Sequence, residues 1–298
     1  MYYLNIILLF SKRKGLDMIN KSYENFTSVD PAFPISYHTE NLVEDNSLCV
    51  PLHWHEHIEM LLVKHGPLTV YINNHPITAE KDNIIVINAG LLHTIPERAP
   101  GVVYQCLIPH KTFCDQFSIP VEDLTLQSLI QDDSVIGIFK HIMQELSTKA
   151  PFYRASVQSL TLSLLVLLAR EYQISEAPYM SSSSTAKNNI AKHIISYLMK
   201  HFKDNITIEE ICDHIGFSKH YVCHSFKDTT GYTIIEYLNI LRCNNAKNLL
   251  LSGKCNISQC AAESGFHNLS YFTKTYQKYV YELPSDTLRK SERKKSSS

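Results

Sequence analysis

The sequence predicts an α+β chain of two domains: a β-barrel that ends in helices, followed by an all-α domain of two helix–turn–helix units. Three observations predict it. A Gly-Phe motif is written twice near the C-terminus, and the two glycines, Gly216 and Gly265, stand 49 residues apart. Residues 48–108 alternate apolar and polar side chains in short runs broken by turn residues, the period of half-buried strands. From Ser134 onward the period becomes that of a helix. At 298 residues the chain is long enough for two cores.

The chain opens on an apolar run, residues 1–10, followed by Ser11, Lys12, Arg13 and Lys14. The run is too short to span a bilayer and carries its charge on the wrong side for a secretory signal. Met18 is therefore the expected functional start, and residues 1–30 are expected to be a poorly defined extension. The first domain is expected over residues 31–173. Residues 68–72 and 83–87 are β-rich runs of strand length, and breaks at His65-Gly66-Pro67 and Asn73-Asn74 separate them from their neighbours. Several short strands at this spacing indicate a small barrel or sandwich.

Two helices should close that domain. Val135, Ile138, Phe139, Ile142, Met143 and Leu146 fall on one helical face, and after Pro151 the stretch 154–173 is apolar on nearly all sides, through Leu160, Leu162, Leu164, Leu165, Val166, Leu167 and Leu168. A helix of about 20 residues runs roughly 30 Å, and one apolar all round must be covered on more than one side. The barrel supplies one cover and a second subunit the other. Residues 174–187, rich in serine and without periodicity, read as the linker.

The second domain is expected over residues 188–290, with a basic, serine-containing tail over 291–298. Gly216-Phe217-Ser218, then Tyr221 and Phe226-Lys227, recurs as Gly265-Phe266-His267, then Tyr271-Phe272 and Tyr276-Gln277. Each copy follows a short amphipathic segment, so each reads as helix, glycine turn, helix. The turn needs a residue tolerant of positive φ and a buried side chain to set the crossing angle. Thr207 with Glu210, and more weakly Asn256 with Gln259, has the spacing of a capping box, and Ser218 is placed to cap the second helix of the first unit. Charge divides along the same boundary. Residues 187–298 carry 16 Lys/Arg against 10 Asp/Glu, whereas residues 1–186 carry 12 against 19. Only the basic half is suited to approach a polyanion.

His53, His55, His57 and Glu59 occupy alternate positions, so on one continuous strand they share a face. Imidazoles and a carboxylate converging inside a barrel can bind a divalent transition metal, with His93 as a further ligand. The same residues can instead line a pocket and hydrogen-bond one another or a polar ligand, since barrel mouths are a preferred place for small-molecule sites.

Residues 188–289 resemble the DNA-binding domain of the AraC/XylS family of bacterial transcription regulators, in spacing and at most signature positions of both motifs. In that family a long helix joins the two units, and residues 233–251, with Tyr237, Leu238, Arg242, Ala246, Leu249 and Leu250, are similar to it. Pro284 matches the place where such domains end. Gly231 keeps the glycine that follows the first recognition helix, but Tyr281 stands where the second is usual. The spacing H-x-H-x₃-E-x₆-G from His53 to Gly66 resembles the first motif of the cupin barrel. The stretch from Asp82 to His93 resembles the second, with Asp82 in place of glycine, Asn88 in place of proline, and Gly90 and His93 retained.

The resemblance implies a cupin-like barrel whose effector pocket holds His53, His55, His57, Glu59 and His93, with helices behind it for dimerisation. If it follows the metal-binding cupins, the ligands are His53, His55, Glu59 and His93, with His57 a spare; otherwise no cofactor is expected. The second helix of each unit should enter a major groove. The positions matching the family's base-contacting sites are Lys219, His220, Cys223, His224 and Lys227 in the first unit, and Asn268, Leu269, Ser270, Thr273 and Lys274 in the second. His224 and Lys274 can each meet guanine or phosphate, Lys227 and Arg242 phosphate or a local partner, and Tyr221 and Tyr271 either core or groove. Val222, Phe226, Phe272 and Tyr276 should pack the core.

The function expected is effector-responsive, sequence-specific transcription regulation without enzymatic activity. The alternative is a metal-dependent cupin enzyme or metal sensor fused to a DNA-binding module. Expected partners are double-stranded DNA, a small-molecule effector, a second copy of the chain and RNA polymerase, and the expected location is the bacterial cytoplasm at the nucleoid, with no membrane association. The eight cysteines show no CxxC pair and no zinc spacing, so free thiols in a reducing cytosol are expected.

Overall fold

The computed structural model describes residues 30–41, 50–95, 101–175, 182–253 and 255–296. The expected Met18 start, the extension up to residue 29, and residues 176–181 of the serine-rich stretch lie outside the described residues. The chain divides into two compact units after Ala186. No helix among the described residues is long and apolar enough to cross a membrane.

The N-terminal unit is built on two antiparallel sheets. One holds β1 (Ile35–Asn41), β8 (Val103–Pro109), β3 (Glu59–His65), β6 (Ile84–Ile87) and β9 (Leu129–Ile130), in that order; the other holds β2 (Val50–His53), β7 (His93–Ile95), β4 (Leu68–Ile72) and β5 (His75–Ala79). The barrel is thus an open pair of sheets, with no ladder joining one to the other among the described residues. β3 and β6 are buried on both faces, and the period of two sorts their side chains. Met60, Leu62, Ile84 and Val86 join the core shared with the helices, while Leu61, Val63, Ile85 and Ile87 join the core between the sheets.

Behind the first core lie α1 (Lys111–Gln116), α2 (Asp133–Thr148) and α3 (Tyr153–Glu171). Asp132 caps α2 by accepting from the Ser134 and Val135 N–H groups. Of the stripe read from the sequence α2 buries Val135, Phe139, Ile142, Met143 and Leu146, whereas Ile138 is only half-buried and Ile136 is buried in addition; α3 buries Val157, Thr161, Leu164, Leu165 and Leu168. Leu160, Leu162 and Leu167 are only partly covered, which accords with a helix that is apolar around most of its circumference.

The two positions that depart from the cupin pattern are each held by a side-chain contact far along the chain. Asp82 adopts the left-handed conformation, φ 63°, that a glycine would favour, and Lys140 pairs with its carboxylate at 2.7 Å. Asn88 is buried and holds Leu126 from both sides, donating to its carbonyl at 2.9 Å and accepting from its N–H at 2.8 Å.

The C-terminal unit is helical. α4 (Ser182–His201) begins inside the stretch read as linker, because Ile190, Ala191, Ile194, Ile195 and Leu198 continue a buried helical stripe behind the serines. The first helix–turn–helix is α5 (Ile208–Ile215) and α6 (Lys219–Thr230); α7 (Ile234–Ser252) joins it to the second, α8 (Ile257–Glu263) and α9 (Leu269–Val280); α10 (Pro284–Ser296) follows. Capping boxes form at Thr207/Glu210 and Asn256/Gln259 as the spacing predicts, and also at Thr233/Glu236 on α7. Gly231 ends α6 at φ 78°, and Tyr281 ends α9 in the same left-handed conformation at φ 63°. The missing glycine therefore leaves the turn intact.

One cysteine expectation is corrected. Cys255 and Cys260 form a disulfide. They flank the capping residue Asn256, at the position before the cap and at the fourth helical residue, which are the two positions a hydrophobic staple brings together. A spacing of five therefore suffices without a CxxC motif. Cys106, Cys114, Cys212, Cys223 and Cys243 are free thiols.

Candidate functional site

The sequence places His53 through Glu59 on one strand, but the chain breaks between β2 and β3 and passes from one sheet to the other. His53, His55, Glu59 and His93 still converge: one donor atom from each lies within 4.8 Å of all the others, and all four residues are buried. β2 pairs with β7 so that His53 faces His93, with ring centroids 4.0 Å apart. The bend brings His55 back over the group, and the Gly90 N–H holds its carbonyl at 2.8 Å. His57 does not join them. Its Nδ1 accepts from the Lys111 N–H at 2.9 Å and its ring lies 4.6 Å from that of His110. Alternation was the wrong guide here because it requires an unbroken strand.

Glu59 is the centre of the cluster. Its Oε2 lies 3.0 Å from His55 Nε2 and 3.2 Å from His93 Nε2, the latter without a directed hydrogen bond, and its Oε1 accepts from Cys106 Sγ at 3.2 Å. Burial alone would raise the Glu59 pKa, but the contacts from His55 and His93 outweigh it and hold the carboxyl well below its ordinary range. His55 Nδ1 lies 3.1 Å from the His57 carbonyl and His93 Nδ1 lies 2.9 Å from the Leu91 carbonyl. A carbonyl only accepts, so each Nδ1 donates to it and each ring turns its Nε2 toward the carboxylate. Such an arrangement is satisfied by a proton on Nε2 or by a cation between the ring nitrogens and the carboxylate, and the carbonyl-bound Nδ1 is the usual support of a metal-ligating histidine. Nearby, burial and then the neighbouring His110 and His55 press the His57 pKa down to about 3, while burial and then His55 press that of His110 down to about 4.

In the C-terminal unit both second helices separate a buried face from an exposed one. Val222 and Phe226 of α6 and Phe272 and Tyr276 of α9 are fully buried, as expected. Lys219, His220, His224 and Lys227 are exposed and Cys223 is half-buried; on the second helix Asn268, Leu269, Ser270 and Lys274 are exposed and Thr273 is half-buried. On the first unit Lys219 meets Glu209 at 2.7 Å, and the Asp228 carboxylate lies 3.0 Å from His224 Nδ1 and 2.8 Å from Lys187 Nζ. Asn268 is the N-cap of α9, its side-chain oxygen accepting from the Tyr271 N–H at 2.8 Å, a role that an asparagine directly before the helix could have announced. Tyr271 is anchored at its tip, where Asn239 of α7 donates to the hydroxyl at 2.8 Å.

Arg242 is settled as a structural residue. From α7 its Nε donates to the Phe202 carbonyl at 2.7 Å and its Nη2 to the Asp204 carbonyl at 2.8 Å, beyond the end of α4, and its guanidinium lies 6.0 Å from the centre of the Phe266 ring. It thereby ties the approach to the first unit to the turn of the second. Gly265 lies against the same spot, where an added Cβ would come within 2.8 Å of the Phe202 carbonyl oxygen and 3.0 Å of Arg242 Nε.

Comparison with known proteins agrees with this division. Residues 44–165 match the family described as an AraC-like ligand-binding domain, and residues 211–290 match a helix-turn-helix domain. The uncharacterised HTH-type transcriptional regulator YdeC of Bacillus subtilis is 24% identical over 266 residues, covering 84% of this chain and 90% of the relative. The HTH-type transcriptional activator RhaR of Escherichia coli K12 is 25% identical over 248 residues, covering 78% and 85%. Among solved structures, ToxT of Vibrio cholerae O395 matches 87% of this chain and 98% of its own at 13% identity, with a TM-score of 0.44. The two matched domains stand in the order, and on the units, that the doubled motif and the histidine cluster had marked out. The chain belongs to the AraC/XylS family of transcription regulators, with an AraC-like ligand-binding domain followed by a DNA-binding helix-turn-helix domain.

Proposed function

We propose that α6 and α9 are the recognition helices of an effector-responsive regulator, and that the effector occupies the pocket of His53, His55, Glu59 and His93. The observation that carries the DNA half is the shared polarity of the two helices. Each buries one face, with Val222 and Phe226 on α6 and Phe272 and Tyr276 on α9, and leaves the opposite face of its N-terminal half exposed or half-buried, the half that meets base edges in such motifs. His224→Ala and Lys274→Ala are each expected to weaken binding to the cognate duplex by about 1–3 kcal/mol and to relax specificity. Lys227→Ala should weaken all sequences alike, as loss of a phosphate contact does. Gel-shift titration at fixed salt reads both, and unchanged affinity in His224→Ala and Lys274→Ala together would refute the groove assignment.

The pocket reading rests on the matched ligand-binding domain and on four buried polar side chains meeting at one point. A specific observation favours a metal there as a second reading, namely the two Nε2 atoms that face one carboxylate oxygen from rings whose Nδ1 is held by a backbone carbonyl. His53, His55 and His93 would supply nitrogen donors and Glu59 an oxygen, a set suited to a divalent transition metal. A metal at a hundredfold excess over its Kd should stabilise the protein by about 2.7 kcal/mol. Metal analysis of tag-free protein and thermal melts with Zn²⁺, Ni²⁺ or Co²⁺ measure this; absence of both bound metal and any shift removes the metal and leaves the small-molecule pocket.

Dimerisation fits the half-covered apolar circumference of α3, and a sedimentation mass of one chain at working concentration would exclude it. We read the protein as a regulator that meets RNA polymerase at promoters in the cytoplasm, and as no enzyme, since its relatives regulate transcription.

A further inference from the structure

The front of α9 carries an apolar group where a groove-reading helix usually carries polar ones. Leu269 is the first residue of that helix, and its side chain is 49% exposed. The polar groups around it are engaged. The Asn268 side-chain oxygen accepts from the Tyr271 N–H, which occupies one of its two lone pairs and ties the side chain to the helix start, away from the bidentate pose an asparagine offers adenine. The Thr273 hydroxyl donates back to the Leu269 carbonyl at 2.9 Å, and the Tyr271 hydroxyl accepts from Asn239. The isobutyl group of Leu269, the Ser270 hydroxyl and, one turn on, the Lys274 ammonium are left to face a duplex. The corresponding front of α6 is Lys219 and His220, hydrogen-bonding groups with no aliphatic among them.

The major groove presents one apolar feature that distinguishes bases, the C5-methyl group of thymine. We propose that Leu269 is a specificity-determining residue that packs on a thymine methyl in the half-site read by α9, so that this half-site is chosen by apolar contact while the one under α6 is chosen by hydrogen bonds. The inference rests on the reading that α9 enters a major groove. Because Leu269 stands at the helix N-terminus, the methyl it covers should lie at a fixed position of the half-site relative to the base or phosphate met by Lys274.

The test uses the full chain and a duplex selected by it from a random library. Each thymine of the selected site is replaced in turn by deoxyuracil, which deletes the methyl and leaves the Watson–Crick pairing intact. For the wild-type chain, one or two positions should each weaken binding about fourfold, as expected for one methyl group returned to water. Leu269→Ala, a change at an exposed position, should bind the thymine duplex more weakly and no longer distinguish it from the deoxyuracil duplex. Equal binding of both duplexes by the wild type, or full discrimination kept by Leu269→Ala, overturns the proposal. Lys274→Ala and a footprint on the same duplex separate the two levels. A protected half-site that Lys274→Ala weakens and deoxyuracil does not removes the methyl contact alone, whereas an unprotected half-site insensitive to both removes the placement of α9 and the methyl contact with it.

Discussion

Alanine in place of Gly265 is expected to destabilise the C-terminal domain by about 3 kcal/mol, and alanine in place of Gly216 by about 1 kcal/mol, although both glycines hold the turn of a helix-turn-helix. Both are left-handed, at φ 84° and 78°, so each change carries the penalty of a Cβ in that region. Only Gly265 adds a collision. Its Cβ would meet the Phe202 carbonyl oxygen at 2.8 Å and the Lys203 Cα at 3.0 Å, while nothing stands within 4 Å of one at Gly216. The clash also falls on the carbonyl to which Arg242 donates, so relief by backbone movement would loosen the tie between the two units. Urea unfolding of the full chain reads the difference. Trp54 is the only tryptophan and lies in the N-terminal unit, so its fluorescence transition should stay in place while the helical circular dichroism transition moves to lower urea. Equal shifts in the two variants would show that the close packing at Gly265 contributes nothing.

Glu59→Ala is expected to destabilise the N-terminal domain by about 3 kcal/mol, the usual range for removing one member of a buried, hydrogen-bonded polar group. The loss removes the carboxylate that lies 3.0 Å from His55 Nε2 and accepts from the Cys106 thiol, and opens a void beneath His93. Glu59→Gln keeps the volume and one acceptor oxygen and should cost less. Here the Trp54 fluorescence transition should move and the helical transition of the C-terminal unit should not. Chelator-treated protein isolates the carboxylate from any metal it holds. A Glu59→Ala variant as stable as the wild type under those conditions would mean that the cluster is not held together by this residue.

Much of the molecule was legible because it is local. Capping boxes, left-handed glycines and the stripe on α2 depend on residues within a turn or two of one another, so Thr207 with Glu210, Gly216, and Val135 through Leu146 behave as their spacing predicts. The exposed faces of α6 and α9 were read the same way, from i, i+3 and i+4 positions. Spacing failed where a residue's role depends on a partner far along the chain. Arg242 had phosphate and a local contact open to it, and the Phe202 carbonyl, 40 residues away, decides. His57 alternates with His55, yet the strand break hands it to Lys111, 54 residues on. Asn88 and Asp82 look like defects in a motif until Leu126 and Lys140 are seen to complete them.

By itself the sequence determined that a β-rich domain with buried histidines precedes a basic pair of helix–turn–helix units, since period, glycine placement and charge act over a few residues and survive any packing. Tertiary structure alone decided which histidines share Glu59, that Asn268 caps a helix instead of offering its side chain whole to a base, and that Gly265 needs to be glycine for want of space as well as for its φ. Those outcomes depend on which backbone atoms come within a few ångströms of a side chain, and that is a property of how the elements pack, not of the order in which they are written.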